Sequence, residues 1–313
     1  MKHTAGAYFL FFGASLFLIG CSGSRSVLSS GKVVPKGQVR FGENYTFNIS
    51  SSPISESAKG SVDLINNLAK KDTVYYSQQL AHLNAAVLSY CLDPIGYTNE
   101  IYFRYGLGKH MDMGFKNSGG SHAVDMMYQF LGSNKNFNES DKGGYYGSAG
   151  LQFSWQNFRF VNYPMFDKLE KLFGMEMSRK DITLPVIFSK SFGPEERTGC
   201  FSFGVVYSHS FIKYKITPKN IYEAEHAANV PPELIKPISE KMHYGAYGTF
   251  INVKIGKRFV FFNFSLAAYY QDYGNYKLLG GSSKTLQGIS IIPSYGIQFN
   301  ILPKKKKTAG TSV

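Results

Sequence analysis

The 313-residue chain reads as an all-β protein: an antiparallel up-and-down transmembrane barrel of about ten strands, with short helices in its long outer loops. Three observations predict this. Apolar and polar residues alternate with a period of two in one segment after another, which is the mark of a two-faced strand. Charged residues make up only 18% of the chain, against 26 Phe, 22 Tyr and 32 Gly; that mix suits strands with one face in lipid better than a soluble helical protein. The connections between the segments also sort by length, shorter on one side and mostly long on the other, as in outer-membrane barrels.

The chain opens with Lys2, His3 and a short apolar stretch that ends in Leu18-Ile19-Gly20-Cys21. This run resembles the lipobox of bacterial lipoproteins. The resemblance implies that residues 1–20 are a lipoprotein signal peptide and that Cys21 receives the lipid. A membrane-spanning helix needs roughly 20 apolar residues, and this stretch is shorter and interrupted by Gly13 and Ser15. Residues 21–37, rich in Ser and Gly up to Pro35, read as the lipidated amino terminus and a tether. No acidic cluster follows Ser22. In related lipoproteins such a cluster marks export to the surface, so the lipid is expected in the periplasmic leaflet.

The barrel domain is placed at 38–302. Its first strand alternates Val39, Phe41, Tyr45, Phe47 and Ile49 with Gln38, Arg40, Gly42, Asn44 and Asn48, and only Glu43 spoils the apolar side. Further alternating faces follow at Ile101–Leu107, Met111–Phe115, Val124–Phe130, Tyr145–Phe153, Ile182–Phe188, Phe201–Phe211, Tyr247–Ile255, Val260–Tyr270 and Ile289–Ile301. That makes ten strands, several of them as long as the roughly 9–11 residues that cross a bilayer. The polar faces carry many glycines (Gly106, Gly114, Gly150, Gly204, Gly248, Gly296) and suit a crowded lumen, while the large aromatic faces suit lipid.

The joins 108–110, 132–143, 192–200 and 256–258 fall on one side. On the other lie 50–99, 117–122, 155–180, 215–243 and 271–287. Short amphipathic helices are expected within three of these outer connections. They rest on Leu80, Leu83, Val87, Leu88 and Cys91 before Asp93-Pro94; on Phe166, Leu169, Leu172 and Phe173; and on Leu234, Ile235, Ile238 and Met242. Cys91 and Cys200 fall at opposite ends of this topology and are not expected to pair. Tyr45, Tyr97, Tyr247, Tyr269, Tyr270, Tyr273 and Tyr295 read as interface girdles. Residues 303–313, with the run Lys304 to Lys307, read as a basic tail.

With the lipobox, the tether, stretches such as Arg104–Gly108 and Val124–Gly132, and a strand-like end, the chain resembles the outer-membrane β-barrel lipoproteins of Bacteroidetes-type bacteria. The likeness is architectural and brings no catalytic motif. It implies a cell-envelope protein in the outer membrane, with membrane lipids as partners and lipopolysaccharide among the candidates. Export argues against nucleic acid as the partner of the +13 charge.

No metal or phosphate-binding motif and no catalytic elbow is present, so neither metal nor cofactor is expected beyond the lipid on Cys21. Arg104, Asp112, Lys116 and Asp125 occupy inward positions on consecutive strands and form a lumen charge network, either a structural filler or a constriction. The expected function is structural or surface-binding, without catalysis. The alternatives are a narrow solute channel through that charged lumen and a hydrolase at the rim using His122 or His209.

Overall fold

The computed structural model describes residues 25–57, 74–75, 78–135, 143–159, 172–219, 221–223 and 233–301. Ten strands close into a single antiparallel barrel. They are β1 Val39–Ser50, β2 Gly96–Gly106, β3 Met111–Ser118, β4 Ser121–Leu131, β5 Tyr145–Arg159, β6 Met175–Ser191, β7 Gly199–Ile216, β8 Ile238–Lys257, β9 Val260–Lys277 and β10 Ser283–Ile301. Each pairs with its neighbours in sequence, and β1 closes the ring on β10 from Val39↔Ile301 to Ser50↔Ser290. We call the end bearing the longest connections the outer mouth. The end where the first and last strand residues meet is the periplasmic mouth.

Parity along the strands decides what each face meets. In β9, Phe262 is 56% exposed and Phe261 is 1% exposed. The outward rows Phe41, Phe103, Met113, Met126, Leu151, Leu184, Phe203, Ile251, Phe264 and Ile291 form an apolar belt around the barrel. A surface of that composition is the one a barrel in hydrocarbon presents.

The strands run past the belt at the outer mouth, further than alternation predicts. Residues 155–159, 175–180, 215–216, 238–243, 271–277 and 283–287, read from sequence as loop, are strand. Above the belt both faces can be polar, so the period-two signal fades while the hydrogen-bonded ladder continues. Two outer connections are therefore short. The β3–β4 hairpin turns on Gly119-Gly120, both at positive φ as a two-residue turn of this hand requires, and β9–β10 needs only residues 278–282.

Helix α1 spans Ser51–Ser57 and α2 spans Gln78–Leu92. The expected α2 pattern holds: Leu80, Leu83, Val87, Leu88 and Cys91 are buried, packed with Tyr214, Tyr244, Tyr273 and Tyr276 in one apolar cluster across the outer mouth. The helix expected around Leu234–Met242 is not formed. Leu234 makes an isolated bridge to Tyr222, and Ile238 begins β8. Apolar residues four apart lie on one face of a strand as well as of a helix, and the register with β7 decides here. Of the other expected helix, Phe166 and Leu169 lie outside the described residues, as do Cys21 and Lys304 to Lys307.

Cys91 and Cys200 are buried and form no disulfide, one in α2 and one beside the periplasmic β6–β7 turn. Tyr45, Tyr97, Tyr247, Tyr270 and Tyr295 face outward, but Tyr269 and Tyr273 are buried on the lumen side and belong to no girdle.

Candidate functional site: the occupied lumen

The stretch read as a tether is not free where it is described. Residues 25–36 run through the barrel, with a bend at Gly31-Lys32, from the outer mouth at Arg25 to the periplasmic mouth at Pro35, and the chain reverses at Gly37 (φ +76°) into β1. This thread pairs with no strand. Its backbone is satisfied by side chains of the wall, as buried backbone groups must be. Tyr269, Ser265 and Asn252 donate to the carbonyls of Arg25 (2.7 Å), Val27 (3.2 Å) and Ser29 (3.4 Å). The amides of Gly31, Val33 and Val34 donate to Ser189 Oγ (3.0 Å), Gln129 Oε1 (3.1 Å) and Asp112 Oδ2 (2.7 Å). Gly106 leaves the thread room to leave the lumen, since a Cβ there would lie 2.1 Å from the Pro35 carbonyl oxygen.

The predicted charge network forms beside this thread as a triad. Arg104 pairs with Asp112 and, at 2.7 Å, with Asp125. The register places Gly114 directly between Arg104 and Asp125. A Cβ on Gly114 would sit 2.7 Å from Asp125 Oδ2 and 2.9 Å from Arg104 Nη1, so the pair closes over a missing side chain. Asp112 uses its other oxygen to hold Val34. Lys116 stands apart: it is half-buried opposite Tyr102 and Ala123, lines the cavity next to Arg104, and makes no ion pair with a described residue. The fourth member expected of the network is therefore a neighbour, two residues along β3 from the Arg104 row.

Two further clusters clamp the ends of the thread. At the outer end, the fully buried Asp93, just past α2, accepts from Arg25 Nη1 (2.8 Å), Asn48 Nδ2 (2.6 Å), Gln271 Nε2 (2.9 Å), Tyr273 Oη (2.8 Å) and Ser290 Oγ. Arg25 and Arg179 also donate to the Leu92 carbonyl, at the helix end where positive charge is favoured. Burial alone would raise the Asp93 carboxyl; Arg25 and the hydroxyls of Ser290 and Tyr273 outweigh it and hold the group below the usual carboxylate range.

At the periplasmic end the β6–β7 turn folds inward. Glu195 (φ +50°) and Glu196 (φ +61°) sit in the left-handed region, an unfavourable conformation for non-glycine residues, and are buried. Glu195 meets Lys32 of the thread at 2.5 Å. Glu196 accepts from Ser30 Oγ (3.0 Å) and from Lys254 Nζ (2.5 Å). Burial would raise the Glu196 carboxyl, but Lys254, Arg40 and Lys32 overcome it and hold the group low.

Beside the thread, among the described residues, lie cavities of about 30, 20 and 10 Å³. A single water needs roughly 10–15 Å³.

Sequence reasoning missed Arg25, Lys32, Asp93, Glu195, Glu196 and Lys254 as a set. Two signals were available: two cations inside a Ser/Gly-rich stretch, and Lys254 on an inward position of β8.

The two candidate bases lie on the outside of the barrel. His122 packs against Trp155 and Phe115 and contacts Asn117 (3.3 Å). His209 contacts the Tyr207 hydroxyl (3.2 Å) and packs on His243 and Phe211. Neither meets a carboxylate among the described residues. No group of metal-ligating side chains occurs among those residues either.

No family model matches the chain, and no curated protein does. Solved structures with a similar fold include the outer-membrane protease OmpT of Escherichia coli (8% identity, 89% of this chain and 100% of that one, TM-score 0.38). Others are the outer membrane protein OprG of Pseudomonas aeruginosa (10%, 88% and 100%, 0.30) and Ail, the attachment invasion locus protein of Yersinia pestis (8%, 84% and 99%, 0.30).

Proposed function

We propose that this protein is a closed, lipid-anchored outer-membrane barrel that works through its outer surface, as a structural or surface-binding element. The observation that carries the reading is the thread. A lumen filled by residues 25–36, tied at both mouths and capped by α2, leaves only water-sized gaps where a solute would pass. The charged lumen thus supports packing of the thread rather than selection of solutes. Catalysis is not part of this reading: His122 and His209 meet no carboxylate among the described residues, and a general base needs a positioned partner.

A second feature supports binding of phosphorylated lipid headgroups, lipopolysaccharide included. Just above the apolar belt, Lys180, Lys213, Lys215 and Lys241 point outward and are exposed, and none makes an ion pair with a described residue. Lys213 and Lys241 are direct cross-strand partners. Like charges so placed destabilise a sheet unless an anion lies between them. Lys213 and Lys215 also line a concavity of about 650 Å³ with Asn157, Ser178, Ser239 and Glu176, the cross-strand partner of Lys215, so the cationic pair Lys213 and Lys241 carries the headgroup reading.

Planar-bilayer recording tests the first point. The intact protein is expected to be silent, and deletion of residues 26–34 is expected to give steady conductance. A conducting intact protein sinks the reading. For the second point, Lys213→Glu with Lys241→Glu is expected to abolish stabilisation of the barrel by added lipopolysaccharide while leaving the barrel folded. Unchanged stabilisation removes the headgroup assignment.

A further inference from the structure

We infer that the amino-terminal end of the chain lies on the outer face of the membrane, so that a lipid on Cys21 inserts in the outer leaflet rather than the periplasmic one. The lipid itself rests on the reading above; the direction of the chain rests on the thread alone.

The wall partners of successive thread residues give the direction. Val34 is held by Asp112 and packs at Gly106, both at the periplasmic ends of their strands. Gly31 meets Ser189 and Lys32 meets Glu195, beside the periplasmic β6–β7 turn. Ser29 and Val27 are held from Asn252 and Ser265, higher on β8 and β9. Ser26 reaches Glu100, and Arg25 reaches Tyr269 and Asp93. Residues 30–34 stay at the periplasmic mouth, Ser29 and Val27 are held midway by the cross-strand pair Asn252 and Ser265, and Ser26 and Arg25 reach the outer half, so the chain runs outward toward its amino terminus. The thread bends at Gly31 and Lys32, so its wall partners, rather than its contour length, fix the level of each residue.

Arg25 is therefore level with the upper edge of the apolar belt. Its partner Tyr269 adjoins the outward Tyr270, and Ser290 of the same clamp adjoins the outward Ile289. Three residues separate Arg25 from Cys21, four chain steps with a reach of at most about 14 Å. To bring Cys21 back to the periplasmic leaflet the chain would have to pass down the lumen a second time. That lumen already holds residues 25–36, and the cavities of about 30, 20 and 10 Å³ beside them are water-sized. This reverses the expectation drawn from the missing acidic cluster after Ser22. A threaded chain reaches the surface by its own barrel and needs no such signal.

The test is an epitope flanked by Gly-Ser and inserted between Ser22 and Gly23, which leaves the residues through Ser22 intact. Antibody binding is compared on intact cells and on cells with a permeabilised outer membrane. Palmitate incorporation is read in parallel, with Cys21→Ala as control. Binding to intact cells is expected, to the same extent as after permeabilisation. Binding only after permeabilisation, or at neither stage in folded barrel, overturns the inference. Surface binding without palmitate incorporation upholds the direction of the chain and defeats the lipid reading, so the two fail separately. If the insertion does not fold, Ser24→Cys replaces it. Cys91 and Cys200 are buried, so a membrane-impermeant maleimide on intact cells is expected to label Ser24→Cys above the level of the unaltered protein, whose Cys21 reacts only without its lipid, and protection of position 24 until permeabilisation overturns the inference.

Discussion

The two ends of the thread are held by opposite means. At the outer mouth a single carboxylate, Asp93, serves one arginine of the thread and is finished by neutral donors from β1, β9 and β10. At the periplasmic mouth two carboxylates face two ammonium groups, and the turn that supplies the acids is bent into an unfavourable conformation to do so. The outer clamp has no redundancy: one charge organises three strands, the α2 cap and the thread. The periplasmic clamp is doubled, and its members can cover for one another.

That contrast can be broken or sharpened, beginning with the perturbation that reaches both clamps. Asp93 and Glu196 are held below their ordinary values of 3.8 and 4.5. Groups with depressed folded-state values contribute stability above their unfolded values, and that contribution is lost as pH falls through the folded ones. Heat-modifiable migration is expected to be unchanged between pH 7 and pH 5 and to weaken only below about pH 4. A decline that begins near pH 6 contradicts the assignment of these carboxylates.

Asp93→Asn comes next. It strands the buried Arg25 guanidinium, for which about 3–5 kcal/mol is the usual cost, read as a lower unfolding midpoint in detergent. Glu196→Gln is expected to cost less, about 1–3 kcal/mol, because Glu195 stays beside the two ammonium groups. Adding Lys254→Met should recover part of that loss. Equal costs for Asp93→Asn and Glu196→Gln remove the distinction between the clamps. Gly114→Ala, away from both ends, is expected to cost about 1–3 kcal/mol by forcing the Asp125 carboxylate off Arg104. A midpoint equal to that of the unaltered protein shows that the triad adapts.

Legibility follows the environment of each face. Within the belt, lipid fixes one row and the lumen the other, so the ten strands could be read from alternation, from Phe41 in β1 to Ile301 in β10. Above the belt that contrast ends, and strand from Ile238 or Tyr273 onward looks like loop. Helix α2 was legible because an apolar cluster selects its spacing, whereas Ile238 and Met242 satisfy both periods. Arg104, Asp112 and Asp125 were legible because the register is short and local. Arg25 and Lys32 were not. Their partners lie 68 and 163 residues away, and an unpaired Ser/Gly-rich stretch has the same composition in solvent as in a lumen.

The thread also dictates an order of assembly. It is continuous with β1 through Gly37, its groups are tied to wall residues along its length, and α2 covers the mouth from which it emerges. A finished ring offers no opening through which such a segment could be pulled. The sheet therefore curls around its own leader, and the β1–β10 seam from Val39 to Ser50 is the last to zip.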